Sequence, residues 1–421
     1  MTFRIGRLDQ VATVRARIGW KALTASEYQD EGYVFLSTPN IKGSSIDFSN
    51  VNYISEFRYR ESPELMLQRG DVLLAKDGST LGIAALVRDL PREATVNGSI
   101  AVLRPHSADP SFLRYVLESA VVQGEIQRLK DGMGVPHLFQ WDIRRLPVPL
   151  PPLDVQRRIA DFLDDQVERI NKCSELRGRQ AALVGSQLAA VLDTAFRANV
   201  GDSEWRPLSS VMRYFQDGDW IEAPFITDAG IRLIQTGNIG AGRYREQGFK
   251  FISEESFRQL RCKEVLPGDV LISRLGSPVA RACIAPDLGV PAITSVDVAI
   301  CRPDPEIALA KYLVYFLSSP KHLADSDNLS RGATMQRLSR SQLGRIKVPV
   351  PSVQIQQMVT ARLDRSWRAA KQLEGKLTAS QDLLGERGRS LITAAVTGEF
   401  DVTTASPRAA EVAIAGVGGA E

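Results

Sequence analysis

The sequence predicts a mixed α/β (α+β) protein made of two duplicated globular domains and two long helices. Residues 1–150 and 201–350 are dense in short β-type runs broken by Gly, Pro and Asp-Gly, and matching segments recur between them at a constant separation. Residues 151–200 and 351–400 instead carry apolar side chains at alternating steps of four and three, the repeat of long packed helices. At 421 residues and 44% hydrophobic composition, the chain is long enough for two or three domains with their own cores.

The duplication of the globular regions is visible in three short motifs. Each motif of the first region has a counterpart 198 residues further along the chain. The pairs are Thr38-Pro39-Asn40-Ile41 with Thr236-Gly237-Asn238-Ile239, Gly70-Asp71-Val72-Leu73-Leu74 with Gly268-Asp269-Val270-Leu271-Ile272, and Ala101-Val102-Leu103-Arg104-Pro105 with Ala299-Ile300-Cys301-Arg302-Pro303. A separation kept over most of a region indicates that a whole domain was duplicated.

Each long helix is predicted from an apolar seam that follows a proline-containing approach. The first seam runs through Leu163, Val167, Ile170, Ser174, Arg177, Ala181, Val184, Leu188, Val191 and Ala195, and the second lies 200 residues later. Proline is tolerated only near the first helical turn, so the helices begin close to Pro152 and Pro351. A 45-residue helix would be about 67 Å long, which favours a spacer or an assembly surface over an ordinary amphipathic helix packed on its own domain.

Composition excludes several classes of protein. No apolar run reaches the length of a membrane span, and the first residues lack the apolar stretch of a secretory signal, so we expect a soluble, cytoplasmic protein. The four cysteines are widely spaced and have no metal-ligand spacing, so we expect neither a disulfide nor a metal. The net charge of +3 is mild, but Arg supplies 40 of the 52 basic residues. Arginine suits DNA recognition, although a GC-rich coding bias explains the excess equally well.

A pair of polar loops, Lys76–Gly82 and Arg274–Ala280, recurs between strands of the two domains. Both loops place a cation two residues before Gly-Ser. The glycine permits close backbone approach, the serine hydroxyl and exposed amides can bond phosphate, and the cation can reach a phosphate or a base edge. A plain hairpin turn explains the same pattern equally well.

A second pair of loops, Gly132–Leu138 and Gly332–Leu338, precedes the two long helices. These loops combine glycine with side chains that differ in hydrogen-bonding character, and His137 stands opposite Arg337. Such variation is expected of loops that read different targets. The alternative is that His137 only packs beneath the start of the helix.

Motifs for catalysis are absent from the sequence. It contains no GxxxxGK[ST] phosphate loop, no GxGxxG, no HExxH and no Asn/Asp-Pro-Pro-aromatic tetrapeptide of amino-methyltransferases. The adjacent Asp164 and Asp165 lie beside the heptad seam, where a solvated helix face is the simpler interpretation. An enzyme is therefore disfavoured.

The sequence resembles the specificity subunit of type I restriction-modification systems over residues 1–402. The resemblance rests on the helix approach Pro-Leu-Pro-Pro-Leu-Asp-Val-Gln-Arg-Arg-Ile-Ala-Asp-Phe-Leu-Asp, residues 149–164, and on the ending Leu-Ile-Thr-Ala-Ala-Val-Thr-Gly, residues 391–398. The family has Glu before the Gln of the approach, whereas Val155 and Ile355 stand there in this chain.

The resemblance implies a non-catalytic subunit that binds double-stranded DNA and needs no cofactor. Each globular half would be a target-recognition domain that reads one part of a split site. The long helices would pack antiparallel as a coiled coil and set the distance between the two parts of the site. They would also recruit two methyltransferase subunits, which would use S-adenosylmethionine. Translocase-endonuclease subunits would join for cleavage. Alternatives are a related subunit of a type IIB or phage-exclusion methyltransferase system, a cryptic enzyme, and a structural adaptor.

The predicted domain bounds are 1–150 and 201–350 for the recognition domains, 151–200 and 351–400 for the helices, and 401–421 for a disordered tail rich in Ala, Gly, Thr and Ser. The candidate DNA-contacting residues come from the repeated loops and turns. They are Thr38, Asn40, Lys42, Lys76, Asp77, Ser79, Thr80 and His137 in the first domain, and Thr236, Asn238, Arg243, Arg274, Ser277, Thr334, Gln336 and Arg337 in the second.

Overall fold

A computed structural model describes residues 3–17, 23–43, 45–130, 137–198, 203–329 and 336–402. The chain divides into two compact units. One unit combines Met1–Gly178 with Ala379–Glu421, and the other is Arg179–Thr378. Each unit therefore contains one globular domain and a stretch of both long helices. Within the described residues, no helix is both long enough and apolar enough to cross a lipid bilayer.

The first domain is built on a four-stranded antiparallel sheet and a three-stranded mixed sheet. Its strands are β1 (Ile5–Arg7), β2 (Ala12–Ala16), β3 (Tyr33–Leu36), β4 (Ile41–Lys42), β5 (Ser45–Ile46), β6 (Asn52–Ile54), β7 (Val72–Ala75), β8 (Ala84–Leu86), β9 (Ala94–Val96), β10 (Ile100–Pro105) and β11 (Pro147–Pro149). Its helices are α1 (Glu56–Arg60), α2 (Pro110–Glu118), α3 (Ala120–Lys130) and α4 (Gln140–Arg145), followed by the long α5 (Leu153–Ala198). The sheet orders are β2-β10-β7-β8 and β6-β3-β9, in which β3 and β9 are parallel.

The apolar strand β7 is buried on both faces. Val72 and Leu74 enter the core beneath α2 and the long helices, whereas Leu73 and Ala75 enter a second core on the opposite face of the sheet. Because successive side chains of a strand point to opposite faces, a strand covered on both sides reads as a continuous apolar run. This is why the Val-Leu-Leu-Ala segment does not alternate with polar residues.

The second domain repeats the four-stranded sheet, and its second sheet has five strands. Its strands are β12 (Glu204–Pro207), β13 (Met212–Asp217), β14 (Ile226–Thr227), β15 (Ile231–Ile234), β16 (Phe251–Ile252), β17 (Glu264–Val265), β18 (Val270–Ser273), β19 (Ala282–Ile284), β20 (Ala292–Thr294), β21 (Val298–Pro303) and β22 (Lys347–Val350). Its helices are α6 (Glu254–Gln259), α7 (Ala310–Leu317), α8 (Pro320–Leu329) and α9 (Arg340–Arg345), followed by the long α10 (Val353–Thr397). The main sheet β13-β21-β18-β19 matches that of the first domain, and the five-stranded sheet has the order β14-β16-β15-β20-β17.

The structure locates the change in the repeat separation from 198 to 200 residues. The strands β10 and β21 end at Pro105 and Pro303, whereas α2 and α7 begin at Pro110 and Ala310. The connection is therefore two residues longer in the second domain, and every later helix and strand keeps the larger separation.

A buried ion pair explains two of the repeated motifs. Asp71 accepts from Arg104 Nε at 2.7 Å and Nη2 at 2.8 Å, and Asp269 accepts from Arg302 Nε at 2.8 Å and Nη2 at 3.1 Å. Both carboxylates are almost completely buried. Bidentate pairing satisfies a carboxylate that would be costly to bury alone. The repeated Gly-Asp and Arg-Pro motifs thus supply the two partners of one pair in each domain.

The glutamine of each helix approach attaches the long helix to its own domain. Gln156 donates to the carbonyl oxygen of Pro151 at 2.9 Å and accepts from the backbone of Asp109 at 2.9 Å. Gln356 does the same with Pro351 and Leu309, with both distances 2.9 Å. These amides are buried, so the polar residue in an otherwise apolar approach is held by backbone partners.

The two long helices pack antiparallel within each unit, as the resemblance implies. In the first unit, Gln381 Nε2 donates to the carbonyl oxygen of Ser174 at 3.0 Å, and Gly388 lies beside Ile170. Along this pair the residue numbers of α10 rise while those of α5 fall, as they do between antiparallel helices. In the second unit Gly185 lies beside Glu374, and Leu192 shares a core with Leu363, so the helices are antiparallel there too.

Each domain core includes side chains from both helices. The first core takes Leu163 from α5 and Leu391 from α10, and the second takes Leu192 and Leu363. The predicted domain bounds remain predictions. The predicted disordered tail lies outside the described residues after Val402.

Candidate nucleic-acid interface

Backbone hydrogen bonds gather the candidate loops of the first domain at one end of its sheets. Asn97 donates to the carbonyl oxygen of Leu36 at 2.8 Å, Lys76 donates to Ser99 at 2.9 Å, and Leu138 donates to Lys76 at 2.9 Å. These segments are far apart along the chain, and the hydrogen bonds bring them together. We define the first loop end as residues 37–42, 76–80, 97–99 and 137–141.

The second domain gathers its loops in the same way. Ser295 donates to the carbonyl oxygen of Ile234 at 2.9 Å, Arg274 donates to Asp297 at 2.8 Å, and Leu338 donates to Arg274 at 2.9 Å. We define the second loop end as residues 235–243, 274–281, 295–297 and 336–340. Each loop end combines all three groups of candidate residues within its domain, except that Thr334 lies outside the described residues.

The candidate asparagines hold turns together. The Asn40 side chain accepts from the backbone of Ser37 at 2.9 Å and donates to the carbonyl oxygens of Asp47 and Asn50 at 3.1 and 2.7 Å. Asn238 makes the equivalent set of bonds. Both residues are buried, and their amide groups are used within the chain. In this structure both amides bond within the chain and support their turns, so their contact with DNA stays a prediction. Thr38 and Thr236 are half-buried on the same turns.

The two cations of the repeated loops, for which a contact with phosphate or a base edge stays a prediction, are also buried. Arg274 donates to the carbonyl oxygens of Leu338 at 3.0 Å and Val296 at 2.7 Å, and pairs with Asp217 at 3.2 Å. Burial lowers the pKa of its guanidinium. Lys76, also buried, lies 3.5 Å from the Asp77 carboxylate. The backbone at both positions continues the sheet, which turns these side chains inward, and they support the loops from within.

The Gly-Ser tips behave as tight turns with exposed hydroxyls. Gly78 and Gly276 have φ values of +69° and +94°, which glycine adopts without strain. Ser79 and Ser277 are exposed, and Ser277 also donates to Asp327 on α8 at 3.3 Å. Thr80 is half-buried beside them. The turn interpretation is thus correct for the backbone, and it leaves the serine hydroxyls at the surface.

In each loop end, one pair of side chains joins two loops, and His137 and Arg337 take part from matching positions. His137 Nδ1 contacts Asp77 Oδ1, and the backbones of the same two residues form an isolated β-bridge. In the second domain Arg337 pairs with Asp297 at 2.7 Å. The side chain of Arg337 is 50% exposed and His137 also lies at the surface, not beneath the helix start. The two domains therefore present different donors at matching positions.

Gln336 is a further candidate with unusual surroundings. Its carbonyl oxygen accepts from Gly276 at 3.0 Å, which places it against the repeated loop. Its side-chain Oε1 is buried and has no hydrogen-bond partner within the part of the chain that the structure describes. Lys42 and Arg243 complete the candidate set, and both are exposed.

Sequence reasoning missed several exposed aromatic and cationic residues. In the second domain Phe249 is 65% exposed above the buried Arg232, whose guanidinium lies 4.7 Å from the ring centroid. Arg245 and Lys250 are exposed nearby in sequence. In the first domain the missed residues are Phe139, Trp141, Arg144 and Arg145. The detectable signal was the alternation of aromatic and basic residues in FQWDIRR and RYREQGFKF.

The described residues contain no group of three or more His, Cys, Asp or Glu side chains that could hold a metal ion. The cysteines are free, and burial raises the pKa of the Cys283 thiol to about 12. Asp164 is half-buried and bonds to its domain: it accepts from Tyr115 at 2.8 Å and pairs with Arg88 at 2.9 Å. Asp364 accepts from Tyr315 at 2.5 Å, so the same carboxylate–tyrosine hydrogen bond attaches a long helix to its domain in both halves of the repeat.

Comparison with known proteins identifies the family. The model of the type I restriction modification DNA specificity domain matches residues 2–176 and 222–379, more than half of the chain. The chain belongs to the type I restriction-modification DNA specificity family. Both matched stretches contain a loop end and part of the helix pair, so the family assignment extends to each copy of the repeat.

Members of this family match over most of their length. The type I restriction enzyme MjaVIII specificity subunit of Methanocaldococcus jannaschii is 22% identical over 361 residues, 81% of this chain and 81% of that protein. The EcoKI specificity subunit of Escherichia coli K12 is 20% identical over 415 residues, 94% of this chain and 89% of that protein. These relatives favour a type I system over a type IIB or phage-exclusion system.

Solved structures share the fold. A chain from a structure of type I R-M complex assembly and conformational transition has a TM-score of 0.72 and 20% identity, covering 95% of this chain and 98% of that one. The HsdS subunit of Thermoanaerobacter tengcongensis has a TM-score of 0.51 and 20% identity, covering 95% and 97%. The similarity confirms the predicted mixed α/β architecture with two long helices.

Proposed function

We propose that this chain is the DNA-reading subunit of a type I restriction-modification complex in the cytoplasm, and that catalysis belongs to its partners. The observation that carries the proposal is the duplicated loop end. Each domain assembles the same loops on the same hydrogen-bond framework, yet carries different exposed side chains. A framework that is kept while its exposed side chains vary suits the recognition of two different sequences.

Each loop end would read one part of a split site in double-stranded DNA. His137 and Arg337 occupy matching positions, as do Asp77 and Leu275. An arginine fork pairs with guanine edges, whereas a carboxylate accepts from cytosine. Exposed hydroxyls and cations such as Lys42 and Arg243 would contact phosphates and fix the register of the protein on the duplex.

The long helices would set the spacing between the two parts and hold the methyltransferase subunits. Leu183 of α5 and Leu383 of α10 are 61% and 65% exposed, and they are equivalent positions of the repeat. Exposed leucines on a long helix are suited to packing against a partner helix. Two equivalent positions fit two copies of a methyltransferase subunit. S-adenosylmethionine would bind those subunits, and translocase-endonuclease subunits would supply cleavage.

Methylome sequencing tests this proposal directly. The chain is expressed with its methyltransferase in a host whose own methyltransferases have been deleted, and modified bases are mapped. We expect one motif made of two short specific parts separated by a fixed non-specific gap. An undivided motif, or methylation without sequence preference, would contradict the two-reader proposal.

A further inference from the structure

Two large aromatic side chains project into solvent from the first loop end. Phe139 is 56% exposed and Trp141 is 55% exposed, although both rings are large enough to contribute to a core. Phe139 is tied to the candidate loops, because its ring lies 4.5 Å from that of His137 and His137 contacts Asp77. The Phe139 ring is therefore continuous with the proposed reading surface, and Trp141 follows it two residues later on α4.

Positive charge lies beside the Trp141 ring. The Arg145 guanidinium lies 5.2 Å from the centre of the Trp141 ring, and Arg144 is exposed beside it. Within the described residues, neither arginine takes part in an ion pair. Aromatic faces interleaved with unneutralised arginine are typical of surfaces that stack on nucleic-acid bases and hold the adjoining phosphates.

The second domain lacks this feature at the equivalent positions. Ser339 and Ser341 stand where the first domain has Phe139 and Trp141. Ser339 caps α9 by accepting from the backbone of Gln342 at 3.1 Å. The backbone of the loop is repeated, but the aromatic pair belongs to one domain only.

We propose that Phe139 and Trp141 contact base faces in the first part of the DNA site, with Arg144 and Arg145 on the flanking phosphates. This inference rests on the proposed function. A ring reaches a base face within a duplex only where two base pairs separate, so the first domain would open one base step and the second domain would not. Wedges of this kind read sequence through the cost of unstacking as well as through contacts.

The test uses the assembled complex with its methyltransferase subunits and a duplex that carries 2-aminopurine, whose fluorescence rises when its base unstacks. The probe is placed in turn at each position of the first part and of the second part, except at the base that the methyltransferase subunits flip out to methylate, because that base unstacks whatever the rings do. We expect a rise at one position of the first part with the unmodified chain, and loss of that rise with the double variant F139L/W141L. Affinity for the site should fall roughly 10- to 100-fold in that variant.

Leucine keeps an apolar side chain at these exposed positions, so folding is preserved. A matched variant controls for the loss of an exposed aromatic ring far from the loop end. Phe57 on α1 is 75% exposed. The helix α1 follows Ile54, which pairs with Tyr33 at the start of β3, whereas the loop end follows the other end of that strand. F57L should keep both the fluorescence rise and the affinity. S341A in the second domain should leave the first-part signal unchanged.

The outcomes separate this inference from the proposed function. Specific binding by the unmodified complex with no fluorescence rise in the first part, or with full affinity in F139L/W141L, would overturn the wedge and leave the DNA-reading function intact. Loss of methyltransferase subunits from F139L/W141L in native mass spectrometry would also overturn it, because the rings would then belong to a protein interface. Failure of the unmodified complex to bind any duplex would remove the proposed function itself.

Discussion

At the scale of residues, the Asp–Arg ion pair is the clearest feature that both halves of the repeat keep for a structural reason. Asp71 and Asp269 are buried, and each is satisfied by one arginine from the neighbouring strand. A buried carboxylate without its partner would keep the cost of dehydration and lose the ion pair. The pair therefore specifies how β10 aligns with β7, and how β21 aligns with β18.

Replacing Arg104 with methionine should destabilise the first domain by about 3 kcal/mol, the lower end of the usual range, because the Arg104 side chain is 30% exposed. Urea unfolding followed by circular dichroism measures the loss. Arg60→Ala is the matched control, since its pair with Glu56 is exposed at the surface and should contribute much less to stability than the buried pair. Equal midpoints for the two variants would show that the buried pair adds nothing.

The second domain should lose stability in acid because of His322. Burial lowers the pKa of this imidazole to about 4. In the unfolded chain the imidazole binds a proton near pH 6.5. The difference in pKa therefore favours the folded state fully above pH 6.5, and this contribution to the free energy of unfolding, about 3 kcal/mol, is lost as the pH falls toward 4. Unfolding midpoints measured between pH 4 and 7.5 test the sign and the window.

The first domain supplies the control for this pH dependence. Val122 and Ile126 stand where the second domain has His322 and Ser326. The double variant H322V/S326I should therefore flatten the profile between pH 4 and 6.5. A variant that keeps the same slope would assign the pH dependence to other groups.

The sequence could predict which loops form the candidate surface, but not which atoms of those loops are exposed. The repeated motifs correctly led to the two loop ends. Within them, Asn40 and Arg274 carry the side-chain chemistry of DNA contacts, and only the partners supplied by distant segments show that they are used internally. Arg274 bonds to Val296 and Leu338, which are 22 and 64 residues away. Burial of that kind depends on tertiary packing, which motif spacing does not contain.

At the scale of secondary-structure elements, the helices were the most predictable part of the fold. A seam repeated over six turns or more and a proline-containing approach both act through local physics, so α5 and α10 begin close to the predicted positions. The strands were predicted only as β-type runs. Their order β2-β10-β7-β8 joins segments separated by many residues, and no local signal specifies it.

The exposed leucines of the two helices should each hold one methyltransferase subunit. A single Leu183→Asp or Leu383→Asp change places a charge in the proposed contact, and we expect each single variant to retain one subunit and the double variant to retain none. Native mass spectrometry gives the stoichiometry. Ser186→Asp, an exposed polar position of α5, is the control and should retain both subunits. Unchanged stoichiometry in the double variant would exclude these leucines from the interface.

At the scale of the whole molecule, the proposed function makes the repeat a means of joining two recognition units with different specificities. Each globular domain is fastened to the end of one helix and the beginning of the other: Leu163 and Leu391 enter the first core, and Leu363 and Leu192 enter the second. Mutations in one loop end leave this framework untouched. The proposed function therefore predicts that the two parts of the DNA site can change independently, while the gap between them depends on the helices.

Lengthening both helices by one heptad should widen the gap and keep both parts of the site. Seven residues inserted after Ser186 and seven after Leu373 would enter the pair where Gly185 lies beside Glu374. Seven residues complete close to two helical turns, so the apolar seam stays in register. The insertion adds about 10 Å at 1.5 Å per residue, and duplex DNA advances 3.4 Å per base pair, so the gap should grow by up to about three base pairs.

Methylome sequencing of the lengthened variant reads the gap directly. Insertions of two residues at the same places are the control, because they rotate the seam out of contact and should abolish assembly. The two specific sequences should be identical to those of the unmodified chain, since neither loop end has changed. Retained methylation with an unchanged gap would mean that the DNA, or the loop ends themselves, sets the spacing, and the helices would then serve only to hold the partner subunits.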